Sequence, residues 1–138
     1  MCTLRICGDD LDVEALLGHL TLEPAAVYRR GEIWLKSTGR RRLTSGVNIG
    51  VSDAGFANLN EQIADVCAFV EEHRSELAAL RSLPGVEHID FDFPVEEKDV
   101  TIPSYCFPAK LIELLASIGA ELKVSLYPAA KEDSPTPP

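Results

Sequence analysis

The stretch LNEQIADVCAFVEEHRSELAALRSL, residues 59–83, decides the fold. Its apolar residues recur at steps of three, four or seven, a spacing that places them along one face of a helix. They are Leu59, Ile63, Val66, Val70, Leu77 and Leu80. The pattern therefore predicts one continuous amphipathic helix of about 36 Å, at 1.5 Å per residue, lying across a sheet.

The ends of this helix are also marked in the sequence. Asn58 followed by Glu61 resembles a capping box, with asparagine in the Ser/Thr position, and Pro84-Gly85 is typical of a helix end. Acidic side chains occupy the predicted outer face and should lie in solvent: Glu71, Glu72 and Glu76.

Alternation of apolar and polar residues predicts strands on both sides of the long helix. They cover residues 2–7, 32–36, 43–52, 86–93 and 122–126, with shorter helices after Asp12 and after Pro108. Strands that alternate have one buried and one wet face. We therefore expect an α+β fold, a two-layer sandwich of a mostly antiparallel five-stranded sheet with helices on one face. The nearest common layout is ferredoxin-like. Residues 1–127 are predicted to form a single domain and residues 128–138 a disordered tail.

Glycine alternates with other residues on one face of the strand predicted at 43–52. Gly46 and Gly50 weaken a strand unless another group packs closely there or a bulge is needed. The sequence leaves three explanations open: a backbone or a helix side chain that packs closely on this face, or a bulge.

The charge of the chain is negative overall but positive in one segment. Thirteen Lys and Arg against 22 Asp and Glu give a formal net charge of -9, which disfavours a nucleic-acid partner and favours a basic one. Six basic residues against Glu32 alone give residues 29–42 a local charge of +5, so the rest of the chain sums to -14.

The cysteine pattern and the hydropathy predict a compartment. Cys2, Cys7, Cys67 and Cys106 have no C-x-x-C spacing, which favours buried free thiols. No run approaches the roughly 20 apolar residues that span a bilayer. We expect a cytoplasmic protein without membrane association and without a cofactor.

Several motifs resemble the bacterial domain-of-unknown-function family DUF4279. They are Cys2-Thr3-Leu4-Arg5-Ile6-Cys7-Gly8-Asp9-Asp10-Leu11-Asp12, the stretch 20–24 followed by Arg30-Gly31-Glu32, and Leu114-Leu115-Ala116-Ser117-Ile118-Gly119-Ala120-Glu121-Leu122 through Tyr127. The resemblance covers almost the whole chain up to Tyr127. It supports the fold and implies no catalytic residues.

The uncovered sheet face is the main candidate binding surface. The alternation places on it Arg5, His88, Asp90, Asp92, Lys123 and Tyr127. The alternative is that Arg5 and Lys123 only pair with Asp90 and Asp92 across strands, each pair contributing no more than about 1 kcal/mol.

Other polar groups have plainer interpretations beside a functional one. A turn bearing Arg40, Arg41 and Arg42 suits phosphate or an acidic partner, but a solvated hairpin tip also explains it. His73, at the edge of the apolar stripe, is better read as a packed histidine than as a ligand. The aspartates at 9, 10 and 12 fit helix capping better than a cation site. No catalytic or metal-binding constellation is visible.

These features lead to three hypotheses. The first is a non-enzymatic binding protein, for which an immunity-type protein that masks a basic toxin is a suitable model. The second is a small-molecule-binding or enzymatic domain with its site on the open sheet face or beneath the strand at Gly46 and Gly50. The third is a homodimer formed through that face or through an edge strand.

Overall fold

The computed structural model describes residues 1–128, so the predicted tail from residue 129 onward lies outside the described residues. The strands are β1 (Cys2–Gly8), β2 (Ala26–Tyr28), β3 (Ile33–Leu35), β4 (Arg40–Arg41), β5 (Ser45–Ser52), β6 (His88–Glu96) and β7 (Glu121–Tyr127). The helices are α1 (Val13–His19), α2 (Leu59–Glu72), α3 (Arg74–Ala79) and α4 (Ala109–Ser117), and a 3₁₀ turn at Leu80–Ser82 follows α3.

Five strands form an open sheet in the order β2-β5-β1-β6-β7. The first three pairings are antiparallel, whereas β7 runs parallel to β6. The sheet is therefore mixed, and the prediction of a mostly antiparallel sheet was wrong. A single helix, α4, connects β6 to β7 and returns the chain to the end of the sheet where β6 began, so the two strands share a direction.

The strand predicted at residues 32–36 does not join the main sheet. Its centre, β3, pairs only with β4 in a separate two-stranded hairpin. The edge position next to β5 belongs instead to β2, where Tyr28 lies opposite Gly46. With only three residues, β2 is too short for alternation to reveal it.

All four helices contribute to one apolar cluster with the sheet. Leu4 and Ile6 of β1 and Phe91 and Phe93 of β6 lie at its centre and are fully buried. Five of the six residues of the predicted apolar stripe are buried, which confirms the stripe at these positions: Ile63, Val66, Val70, Leu77 and Leu80. Because the buried side chains of the helices join this one cluster, no helix among residues 1–128 lies over the opposite sheet face.

The long helix is interrupted, contrary to the prediction of a continuous one. His73 has φ -111° and ψ 20°, which ends α2 and begins α3. Asn58 does precede α2, but its side chain donates to Glu61 Oε2 (2.8 Å) instead of capping the helix backbone. Glu76 is also not free in solvent, since its carboxylate accepts bonds from the Thr21 backbone (2.6 Å) and hydroxyl (2.7 Å).

The four cysteines are free thiols in differing environments. Cys2 and Cys67 are buried, Cys7 is half-buried and Cys106 is exposed, so the prediction of buried thiols holds for only two of them. Within residues 1–128, every helix is too short or too polar to cross a bilayer.

Candidate functional site

The helix-free face of the sheet presents aligned rows of polar side chains. The register places Arg5 of β1 between Asn48 of β5 and Asp90 of β6, and Glu121 of β7 follows Asp90. A neighbouring row runs from Thr3 through Asp92 to Lys123. Arg5, Asp90, Asp92 and Lys123 therefore share one face, as the alternation predicted.

Arg5 and Asp92 form the central ion pair of this face. Arg5 Nη1 lies 3.6 Å from Asp92 Oδ2, and the two side chains are 31% and 19% exposed. Asp92 Oδ1 also accepts a bond from the Ser125 hydroxyl (2.7 Å). The 3.6 Å separation is longer than a hydrogen bond, so Arg5 keeps donors available to a further acceptor.

The environment of Asp90 is unfavourable for a charged carboxylate. Its Oδ1 is buried without a hydrogen-bond partner among the described residues. Burial raises the pKa of the Asp90 carboxyl group, and the nearby Arg5 and Lys123 cations only partly offset this effect. The charged form of Asp90 is thus less stable in the folded than in the unfolded protein.

The substitution Asp90→Asn tests this electrostatic cost. Because folding raises the Asp90 pKa, its contribution to stability is complete below the ordinary value of 3.8 and is lost as pH rises through the raised pKa. We expect Asp90→Asn to raise the thermal midpoint by about 2 °C at pH 7 and to leave it unchanged at pH 3. The exposed Asp53→Asn serves as the control, and a lower midpoint at pH 7 for Asp90→Asn would show that attraction to Arg5 dominates.

The β3–β4 hairpin adds a basic pocket to this face. The cavity measures about 590 Å³, and its lining residues are here called the arginine pocket: Arg5, Tyr28, Trp34, Arg40, Arg41, Arg42, Leu43 and Thr44. The base of the hairpin is fixed by the Arg42 backbone, which donates to Glu32 O (2.8 Å) and accepts from Gly31 N (2.9 Å). Arg5 on the sheet and the arginines at 40–42, which the sequence predicts as separate candidate sites, therefore line one cavity.

Two aromatic rings pack against the guanidinium group of Arg42. The Arg42 guanidinium lies 4.3 Å from the Tyr28 ring centroid and 5.3 Å from the Trp34 ring centroid. Tyr28 lies across Gly46, where an added Cβ would meet the Tyr28 ring and approach Ile6 O to 2.8 Å. The glycine on this strand thus leaves room for the Tyr28 ring, so the group that packs closely at Gly46 comes from the neighbouring strand β2.

The arginines of this region differ in their ion pairs. Arg29 pairs with Glu14, and Arg30 Nη1 lies 3.7 Å from Asp10 Oδ1. Among residues 1–128, Arg40 and Arg42 have no carboxylate within 4.0 Å. These two guanidinium groups can therefore bind an external carboxylate or phosphate without first breaking an internal pair.

Five predicted site residues do not line the pocket: His88, Asp90, Asp92, Lys123 and Tyr127. His88 is exposed, and its Nδ1 lies 3.3 Å from Glu121 Oε1. Tyr127 stacks on Phe56 with a centroid distance of 4.8 Å and a 2° interplanar angle. Tyr127 is opposite Glu96, four residues beyond the Lys123–Asp92 pairing. It therefore belongs to the far end of the sheet.

The plainer interpretations fit His73 and Asp12, whereas Asp10 lies near Arg30 and does not cap a helix. The His73 ring packs against Phe69 with a centroid distance of 4.8 Å. Asp12 caps α1 by accepting a bond from Ala15 N (3.0 Å). In the described part of the chain, no group of three His, Cys, Asp or Glu side chains is arranged to hold a metal ion.

Sequence reasoning missed the aromatic members of the pocket. Tyr28 lies in the three-residue β2 strand, and Trp34 belongs to the site because it lies near Arg42 in a cavity that Arg5 also lines. The useful signal was Gly46, since a glycine on one face of a strand indicates that another group packs there. It indicated where the contact lies but not which residue makes it.

The fold and the site define an α/β protein with an open, mixed-charge sheet face and a basic aromatic pocket. Over residues 1–129 the chain matches the family described as a domain of unknown function (DUF4279). The chain belongs to this family, as its resemblance predicted. The comparisons with curated proteins and with solved structures returned no match. Because the family description names no activity, the function is argued from the site.

Proposed function

We propose that this protein is a non-enzymatic binding protein whose binding surface is the open sheet face centred on the arginine pocket. The observation that carries this proposal is the pair Arg40 and Arg42, cations in a 590 Å³ cavity without a carboxylate partner among the described residues. Guanidinium groups offer several N–H donors in a fixed plane, which suits recognition of an anionic group.

The partner is a protein, and an immunity-type protein that neutralises its partner is the specific form of this proposal. The net charge of -9 favours a basic partner, whereas the pocket favours an acidic group at the point of contact. The two features are compatible if the contacting segment of an otherwise basic partner carries the acidic group. Four free thiols support a reducing, cytoplasmic location.

Capture from the native host tests the binding function. We expect the wild-type protein to retain a stable partner encoded nearby, and we expect Arg40→Glu to lose it because the charge at the pocket rim is reversed. Arg40 is exposed, so this change should not affect folding. Arg74→Glu, at an exposed site on α3, is the matched control. Failure of the wild type to retain any partner, or equal retention by Arg40→Glu, would contradict the proposal.

A small-molecule-binding or enzymatic domain is the second candidate function. The cavity volume supports it, since ligand pockets commonly measure about 300–1,000 Å³. A thermal-shift screen against anionic metabolites and divalent metals tests this alternative. A rise in the midpoint that disappears in Arg40→Glu would favour it over a protein partner.

A homodimer is a further proposal, supported by the edge strand β7. Its Leu122, Val124 and Leu126 are 36%, 36% and 58% exposed, and edge strands with apolar residues readily pair with another chain. Light scattering at the monomer mass would exclude this assembly.

We also propose that four strands of the main sheet, β1, β2, β5 and β6, have a ferredoxin-like arrangement. Their spatial order β2-β5-β1-β6 and their antiparallel pairing support it.

A further inference from the structure

We infer that the arginine pocket recognises a short acidic peptide segment in which one or two carboxylates lie next to an apolar side chain. This inference rests on the proposed binding function and specifies the ligand. It follows from three properties of the hairpin and its surroundings: the orientation of its cations, its exposed apolar side chains, and the carboxylates that surround it.

Neighbouring groups fix the positions of the pocket arginines but do not neutralise their charge. The Arg42 guanidinium lies within cation–π distance of both Tyr28 and Trp34, and these rings position it without neutralising its charge. Arg41 Nη1 donates to Gly31 O (2.7 Å), which fixes that side chain at the same end of the hairpin. Orienting the arginines before binding reduces the entropy lost when an anion is bound.

Apolar side chains of the same hairpin are unusually exposed. Leu43 is 83% exposed and Trp34 is 51% exposed, and both line the pocket. Ile33 and Leu35 of β3 are 55% and 39% exposed. A free phosphate or a small carboxylate would leave these groups in water, whereas a peptide with an apolar side chain would cover them. Tryptophan and arginine are also the residues that most often dominate protein–protein binding energy.

The surroundings of the hairpin limit the size of the anion. Glu14, Glu32 and Asp10 lie beside Arg29 and Arg30, and the chain outside residues 29–42 carries a charge of -14. A long polyanion such as a nucleic acid would meet these carboxylates, which opposes its binding. One or two carboxylates can reach the pocket arginines without that repulsion.

Trp34 fluorescence offers a direct test, since Trp34 is the only tryptophan of the chain and lies in the pocket. The probes are a panel of hexapeptides with two adjacent glutamates and one phenylalanine, the same peptides with glutamine for glutamate, and sodium phosphate. We expect only the acidic peptides to change the emission saturably. Loss of a charge-assisted hydrogen bond should weaken binding about tenfold in Arg42→Gln. Arg40→Gln, at an exposed position, should weaken it without affecting the fold, and Arg74→Gln should not change it.

The outcomes separate this inference from the proposed function. Saturable binding of phosphate but not of acidic peptides would overturn the peptide assignment and leave a binding protein in place. Equal binding of glutamate and glutamine peptides would overturn the role of the arginines. If no probe changes the Trp34 emission while capture of the native partner still depends on Arg40, the ligand class is wrong although the binding function stands. Loss of native capture by the wild type would refute the binding function itself.

Discussion

Replacing Gln62 with glutamate is expected to lower the free energy of unfolding by about 3–5 kcal/mol at pH 7, the range typical of an uncompensated buried charge. Gln62 is fully buried on α2. Its Nε2 donates to Gly55 O (3.0 Å) and to Pro94 O (2.9 Å). A carboxylate there would face two carbonyl oxygens and would have no donor from them.

The pH dependence of Gln62→Glu distinguishes charge burial from lost packing. Burial raises the pKa of the introduced carboxyl group, so the variant is most stable when this group is protonated and loses stability as pH rises through the raised pKa. Gln62→Met is the matched control, because it removes both donors without adding charge. It should cost about 1–3 kcal/mol at every pH. Urea unfolding at pH 5 and pH 7 measures both, and equal stability of the two variants at pH 7 would contradict the prediction.

Gly85→Ala is expected to destabilise the protein by about 3 kcal/mol, combining backbone strain with a steric clash. Gly85 has φ +80°, a conformation that residues with a Cβ rarely adopt. An added Cβ would also meet Asp10 O and approach Leu11 Cα to 2.7 Å. The neighbouring backbone cannot move aside as a flexible side chain can, so the turn before β6 must shift.

Two other glycines separate these contributions. Gly39→Ala, at φ +66° with no atom within 4 Å of the added Cβ, should show the strain alone, about 1 kcal/mol. Gly18→Ala lies within α1 in open space and should stabilise by about 0.5–1 kcal/mol. Thermal and urea unfolding measure all three. A Gly85→Ala variant no less stable than Gly39→Ala would show that the packing around Gly85 is loose.

The sequence predicts the layers of this fold better than its connections. The stripe from Ile63 to Leu80 correctly identifies the buried helix face because helical periodicity is a local signal. The break at His73 has no such signal, since neither proline nor glycine is present and both halves share the stripe. The parallel direction of β7 cannot be read from alternation, which is the same in parallel and antiparallel edge strands.

The sequence predicts several residues of the candidate site but not that they lie together in the fold. Alternation places Arg5 and Asp90 on the open face, and composition identifies the cluster at Arg40 to Arg42. Their grouping depends on β2 occupying the sheet edge and on the hairpin lining one cavity with Arg5. These are long-range arrangements that no local pattern records. Tyr127 was predicted by the same alternation to join the site, but it lies at the far end of the sheet, where it stacks on Phe56.

The central position of β1 determines when the sheet can be completed during protein synthesis. This strand leaves the ribosome before both of its partners, which lie near residues 46–52 and 88–92. One of its edges therefore stays unpaired until residue 92 has been made, and closing such distant contacts slows folding. The sheet is expected to form only after β6 has been made, with a period in which a chaperone can bind β1.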